Sequence, residues 1–165
     1  MMPQALLTPL LLTSSSFAAF GQAISPSTDG TPFGPSDAQL ILNNGTPRLY
    51  IMRLAQRGLT FDRITRHVRV TQCLAAVGGG EWLLAVAPPL SPDDRAAMPD
   101  PASIQAFRIS GPVGIKLHRG TWHAGPFFAA PEMDFLNLEL ADTNESDHID
   151  CHLGRDHGVT FRFEV

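Results

Sequence analysis

Apolar residues recur at every second position near the end of the chain. Leu136, Leu138 and Leu140 alternate with Asn137 and Glu139, and Phe161 and Phe163 alternate with Arg162 and Glu164. Successive side chains of an extended strand point to opposite faces, so a period of two marks half-buried strands. No stretch shows the sustained spacing of a long amphipathic helix.

Turn signals divide the rest into short runs. Gln39 to Leu42 and Arg48 to Leu54 flank Asn43-Asn44-Gly45, which predicts a turn between two strands. Val68 to Val77 and Glu81 to Ala87 flank Gly78-Gly79-Gly80 in the same way. The stretch Ser25 to Asp37 holds three prolines and two glycines, and Pro88 to Pro101 holds five prolines, so both read as loops. Further strands are predicted at Ile104 to Ile109, Gly114 to Arg119, Phe127 to Ala130, Phe135 to Ala141 and Val159 to Val165. Ser14-Ser15-Ser16 is suited to cap a short helix carrying Phe17 and Phe20, which Gly21 would end. About ten short strands with regular turn signals predict an all-β sandwich or barrel.

At 165 residues the chain fits one domain, taken as residues 1–165, with enough core to need no disulfide or structural metal. Its 12 basic residues are scattered and its net charge is −4, which argues against a nucleic-acid partner. Cys73 and Cys151 are read as two reduced thiols. Leu6-Leu7 and Leu10-Leu11-Leu12 resemble the core of a signal peptide, but the first basic residue is Arg48 and Pro9 splits the run. No stretch reaches the roughly 20 apolar residues of a membrane span. The expectation is a cytoplasmic protein without a membrane partner, in which the Asn144-Glu145-Ser146 glycosylation match carries no meaning.

The stretch Pro112 to His123 is the densest in chemistry. A strand from Gly114 to Arg119 puts Lys116, the only lysine, on one face with His118. Gly120 then turns the backbone and brings Trp122 and His123 back toward the strand end. Two imidazoles, an ammonium and a guanidinium suit an anionic substrate that needs proton transfer; basic tips beside a core tryptophan are the equal alternative. In the stretch Arg66 to Gln72, alternation places His67, Arg69 and Thr71 on one face and Arg66, Val68, Val70 and Gln72 on the other. His148-Ile149-Asp150-Cys151-His152 reads as an exposed acidic loop, since no second Cys/His pair accompanies it at zinc-site spacing. His157 sits in a glycine-containing turn and carries no signal. The chain contains no glycine-rich phosphate loop, Gly-x-Ser-x-Gly elbow or His-Glu-x-x-His motif.

Pro112-x-Gly114 followed by His118 resembles the second motif of the cupin superfamily. More closely, the chain resembles the ureidoglycolate lyase family, formerly called ureidoglycolate hydrolase. The matching stretches are Phe17 to Ile24, Ile41 to Thr46, Arg66-His67 with Gln72, Ile104 to Phe107, Gly114 with His118 to His123, and Asp134-Phe135-Leu136. His118-Arg119-Gly120-Thr121-Trp122-His123 is the most specific of them. The chain departs from the family at Cys73-Leu74-Ala75, where an aromatic and a proline are usual, at Leu117, where tyrosine is frequent, and at Ala124, where a second histidine follows.

The resemblance implies a cupin-like β-barrel or jelly roll with one or two short helices. It also implies cleavage of ureidoglycolate to glyoxylate and urea, a late step of allantoin and purine degradation. Such a reaction needs a base for the hydroxyl proton, an acid for the departing nitrogen and a cation for the carboxylate. On this reading His118 is the base, His123 the acid and Lys116 the carboxylate anchor. Arg53, His67, Gln72, Arg119 and Trp122 complete the substrate site. The expected site is metal-independent, with His67, Gln72 and His118 as the weak candidates for a divalent ion. A homodimer is expected from the resemblance. The alternatives are a metal-dependent cupin enzyme, such as an isomerase or dioxygenase, and a non-catalytic barrel that binds a small carboxylate.

Overall fold

The computed structural model describes residues 1–165. Its strands lie in three sheets. A five-stranded sheet is ordered β3 (Gly21–Ile24), β10 (Gly114–Leu117), β7 (Cys73–Ala76), β12 (Glu132–Leu140) and β4 (Pro47–Ala55). A six-stranded sheet is ordered β13 (Ile149–His152), β6 (Arg63–Arg66), β11 (Trp122–Phe127), β8 (Trp82–Ala87), β9 (Gln105–Ile109) and β2 (Leu10–Leu11). A small sheet joins β1 (Gln4–Leu7), β14 (Thr160–Phe163) and β5 (Thr60–Phe61). The helices are short, α1 (Thr143–Ser146) and α2 (Leu153–His157), with one 3-10 turn at Pro101–Ser103. The chain is mainly β, as its periodicity predicts, and its ladders do not close into one ring. No helix is long and apolar enough to cross a membrane.

Strand β8 explains the layering, because all six of its residues are buried. Leu84 and Val86 pack with Phe17, Phe107, Ile115, Leu117 and Phe135, filling the space between the five- and six-stranded sheets. Leu83, Ala85 and Ala87 face the other way, into a second cluster with Trp122, Phe127, Phe161 and Phe163. A continuous apolar run is what a strand buried on both faces requires.

Several local expectations are corrected. Gln39 to Leu42 is not a strand, and no hairpin forms across Asn43-Asn44-Gly45. Instead β4 pairs with β12 along nine residues, Pro47↔Leu140 to Ala55↔Glu132. The segment before β4 is tied to the chain near residue 70, where the Ile41 N–H donates to Thr71 Oγ1 at 2.8 Å and Asn44 Nδ2 donates to the Arg69 carbonyl at 2.9 Å. Strand β6 stops at Arg66, so the stretch from His67 to Gln72 is irregular and does not alternate. The segment 127–130 contributes only the last residue of β11, and 149–152 is a strand rather than a loop. Residues 14–20 form a series of turns in place of a regular helix, with Ser16 and Thr13 bonding each other's backbone N–H. Both cysteines are free.

Candidate active site

Between the five- and six-stranded sheets the apolar core gives way to a polar cavity of about 360 Å³. One wall is the inner face of β4 and β12. Tyr50 and Met52 alternate inward along β4, and Asn137 and Glu139 do so along β12, both of them 1% exposed. The register sets Tyr50 opposite Asn137, so the polar groups meet across the strand pair. The facing wall is β6 and β11, where His123 sits opposite Thr65. His67, Gln72 and His148 close the cavity from the connecting segments.

The β4–β12 wall is a hydrogen-bonded chain. Tyr50 Oη donates to Glu139 Oε1 at 3.1 Å and accepts from Asn137 Nδ2 at 3.1 Å. Gln72 Nε2 donates to Asn137 Oδ1 at 3.1 Å and to Glu139 Oε2 at 3.2 Å. A carboxylate only accepts, so this pattern assigns the Gln72 amide with its nitrogen toward Glu139. Its carbonyl oxygen Oε1 is then buried without a partner. An unpaired buried acceptor costs about 1–3 kcal/mol. Burial and the Glu139 carboxylate both raise the Tyr50 phenol, which keeps it a proton donor.

The imidazoles stand opposite this chain. His67 and His123 have ring centroids 5.1 Å apart, and His67 and His148 are 5.7 Å apart. His67 Nδ1 is 2.6 Å from the Asp147 carbonyl, and His123 Nδ1 is 3.3 Å from the Thr121 carbonyl. A carbonyl cannot donate, so each Nδ1 carries the proton and each Nε2 is left as the basic nitrogen. Burial pushes His67 below the ordinary histidine range. It lowers His123 to about 3, with His67 adding to the effect. Both rings are therefore neutral near pH 7.

Of the residues assigned to the site from the sequence, the structure brings His67, Gln72 and His123 together at the cavity and places the others elsewhere. Ile115 and Leu117 of β10 point into the core, so Lys116 between them points to the outer face of the same sheet. There its Nζ lies 3.1 Å from His118 Nδ1, while His118 Nε2 bonds the Ala18 carbonyl at 3.1 Å. The two groups share a face, as expected, but it is the wrong one for the cavity. The assignment of Lys116 as carboxylate anchor and His118 as base is thereby corrected, and so is the candidate metal set His67, Gln72 and His118. Arg53 likewise points outward from β4, bound to Asp134 at 2.8 Å. Arg119 bonds the Val68 carbonyl and Asp93. Trp122 neighbours Ala87 across the ladder and is fully buried on the far side of the six-stranded sheet, beneath the Arg66 guanidinium.

Tyr50, Asn137, Glu139 and Arg57 line the cavity without having been identified from the sequence, and His148, expected in an exposed acidic loop, lines it too. The available signal was the polar half of the alternation at Asn137 and Glu139. No group of three or more His, Cys, Asp or Glu residues is arranged to hold a metal ion.

The family model described as ureidoglycolate lyase matches residues 4–157. The chain belongs to the ureidoglycolate lyase family. A family member from Pseudomonas putida, named ureidoglycolate lyase, is 28% identical over 154 residues, covering 82% of this chain and 84% of that protein. A relative of the same name from Stutzerimonas stutzeri is 26% identical over 155 residues, with 82% and 83% covered. Among solved structures, a mutant of oxalate decarboxylase from Bacillus subtilis superposes with a TM-score of 0.38 and 11% identity. That match covers 79% of this chain but only 37% of the decarboxylase.

Proposed function

We propose that this chain is a carbon–nitrogen lyase that cleaves ureidoglycolate to glyoxylate and urea in allantoin and purine catabolism, and that the reaction takes place in the His67–His123 cavity. Family membership supports the reaction. The observation that carries its placement is the pair of neutral imidazoles facing a wall of hydrogen-bonding groups in a space of about 360 Å³. That volume suits a small molecule.

The substrate is a carbinolamide that bears a carboxylate. In the cleavage its hydroxyl proton leaves, the C–O bond becomes the aldehyde carbonyl, the C–N bond breaks, and the ureido nitrogen gains a proton. The net change is one proton moved from oxygen to nitrogen, so a single imidazole suffices. His123 Nε2 takes the hydroxyl proton and returns it to the departing urea. This reverses the role expected from the resemblance, because a neutral ring starts as a base. Its low proton affinity makes the transient imidazolium a strong acid, and the substrate anion stabilises that cation as it forms. Gln72 Oε1 and the Glu139 carboxylate are suited to accept the ureido N–H groups.

The proposed enzyme works without a metal, in the cytoplasm, as a homodimer. The outer face of the five-stranded sheet supports the dimer. Leu49, Ile51 and Leu136 are exposed there, beside an apolar groove of about 800 Å³. A second copy related by a two-fold axis would cover the face with itself. The test of function is glyoxylate release from racemic ureidoglycolate, with and without a chelator. Release in both conditions is expected. No release from the folded protein overturns the activity, and loss on chelation overturns metal independence.

A further inference from the structure

The cleavage reading leaves the substrate carboxylate without a cation, since Lys116 lies behind the sheet. The cavity itself is asymmetric in charge. Its inner end holds the buried Glu139 carboxylate, which repels a second anion. Its cationic lining residues are Arg57 and Arg63. Arg63 is already matched, with its Nη1 3.7 Å from Asp150 Oδ2. Arg57 has no hydrogen-bond acceptor and no carboxylate within ion-pair distance, unlike Arg53, Arg69, Arg108, Arg119 and Arg155, which each have one.

Two features hold the Arg57 side chain at this place. It leaves the chain just beyond the end of β4, whose inner face forms the wall, and Gly58 at φ +78° turns the backbone back toward β5. Its guanidinium carbon lies 4.7 Å from the centre of the Phe127 ring, which also lines the cavity. An aromatic face under a guanidinium fixes its plane while leaving the N–H groups at the edge free. A carboxylate takes up that planar fork with two parallel hydrogen bonds. The arginine is therefore positioned, charged and open to solvent, with no protein acceptor, at the end of the cavity away from Glu139.

We propose that the Arg57 guanidinium holds the carboxylate of the substrate and so makes the enzyme select an acid over the corresponding amide. The proposal rests on the cleavage reading and adds the direction of binding: carboxylate toward Arg57, ureido group toward Gln72 and Glu139, and the carbinol carbon between them beside the imidazoles. Partial desolvation and, after it, the nearby Arg63 both disfavour the charged guanidinium. An anion bound at that end relieves both.

The probes are the product glyoxylate and its neutral amide, glyoxylamide, titrated calorimetrically into wild type, Arg57→Ala and Arg57→Lys. Thermal unfolding confirms that each variant is folded. Glyoxylate binding is expected to weaken by about tenfold to a hundredfold in Arg57→Ala. Arg57→Lys should lie between it and wild type, and glyoxylamide should bind all three proteins alike. The KM for ureidoglycolate rises in parallel with less change in kcat. Equal binding of glyoxylate by wild type and Arg57→Ala overturns the proposal, as does equal loss for acid and amide. Absence of turnover by wild type overturns the cleavage reading instead, and the binding ratios are read independently of it.

Discussion

His67 is held by Asp147 through two kinds of contact. The ring Nδ1–H donates to the Asp147 backbone carbonyl at 2.6 Å, while the Asp147 carboxylate accepts from the N–H groups of Val68 and Arg69 at 2.8 and 2.9 Å. The stretch after β6 has no ladder partner, so this fully buried aspartate supplies the acceptors that a strand neighbour would otherwise provide. The carboxylate fixes the backbone and the carbonyl fixes the imidazole, which sets both its tautomer and its direction.

Asp147→Ala removes the carboxylate and strands two backbone donors. A loss of about 2–4 kcal/mol in unfolding free energy is expected. Lower kcat/KM should accompany it at temperatures where the variant is folded. Chemical denaturation and steady-state kinetics on the same preparation check both effects.

Acid stability follows from the buried neutral rings. His123 is lowered to about 3 in the folded state, against about 6.5 in an unfolded chain. As pH falls through that window the unfolded state binds a proton that the folded state refuses, so stability drops by about 1.4 kcal/mol per pH unit for this residue. His67, lowered in the same direction, adds to the drop. Between pH 7 and pH 5, His123→Gln should lose about 2 kcal/mol less than wild type. Denaturant melts at the two pH values measure the difference.

Lys116 and His118 give the contrasting case. They bond each other on the outer face of the five-stranded sheet, with the sheet between them and the cavity. His118→Ala is expected to retain kcat/KM within a factor of about three, even though its sequence run is the most family-like in the chain. Loss beyond about a hundredfold in a folded His118→Ala protein would return this residue to the site.

The β character was legible because strands have a fixed period, but a period does not say which face is buried. Leu136 and Leu138 look like the core side of β12, yet Leu136 is exposed and Asn137 and Glu139 are buried. The interior at that point is a cavity rather than a core, which inverts the usual rule. The same ambiguity misplaced Lys116, whose shared face with His118 was read correctly. Tyr50 and Asn137 meet only through a pairing of strands distant in sequence, and local turn signals wrongly paired β4 with the segment before it. Asp147 and His148 were hidden in an acidic run, where a solvated loop is the ordinary expectation.

The proposed homodimer predicts its own weak point. Leu136→Asp places a charge in the middle of the exposed apolar face without touching the cavity lining. Sedimentation should show a dimer for wild type and a monomer for the variant. A dimer that survives the substitution assigns the interface elsewhere, and a wild-type monomer removes it.

His123 Nε2 is the atom on which the proposed chemistry turns. The deciding measurement is the single-turnover rate of glyoxylate release by His123→Ala, with folding verified and ureidoglycolate saturating. Moving the proton between oxygen and nitrogen without this imidazole should slow the rate by about a hundredfold to ten-thousandfold. A variant that releases glyoxylate at the wild-type rate would place the reaction outside this cavity.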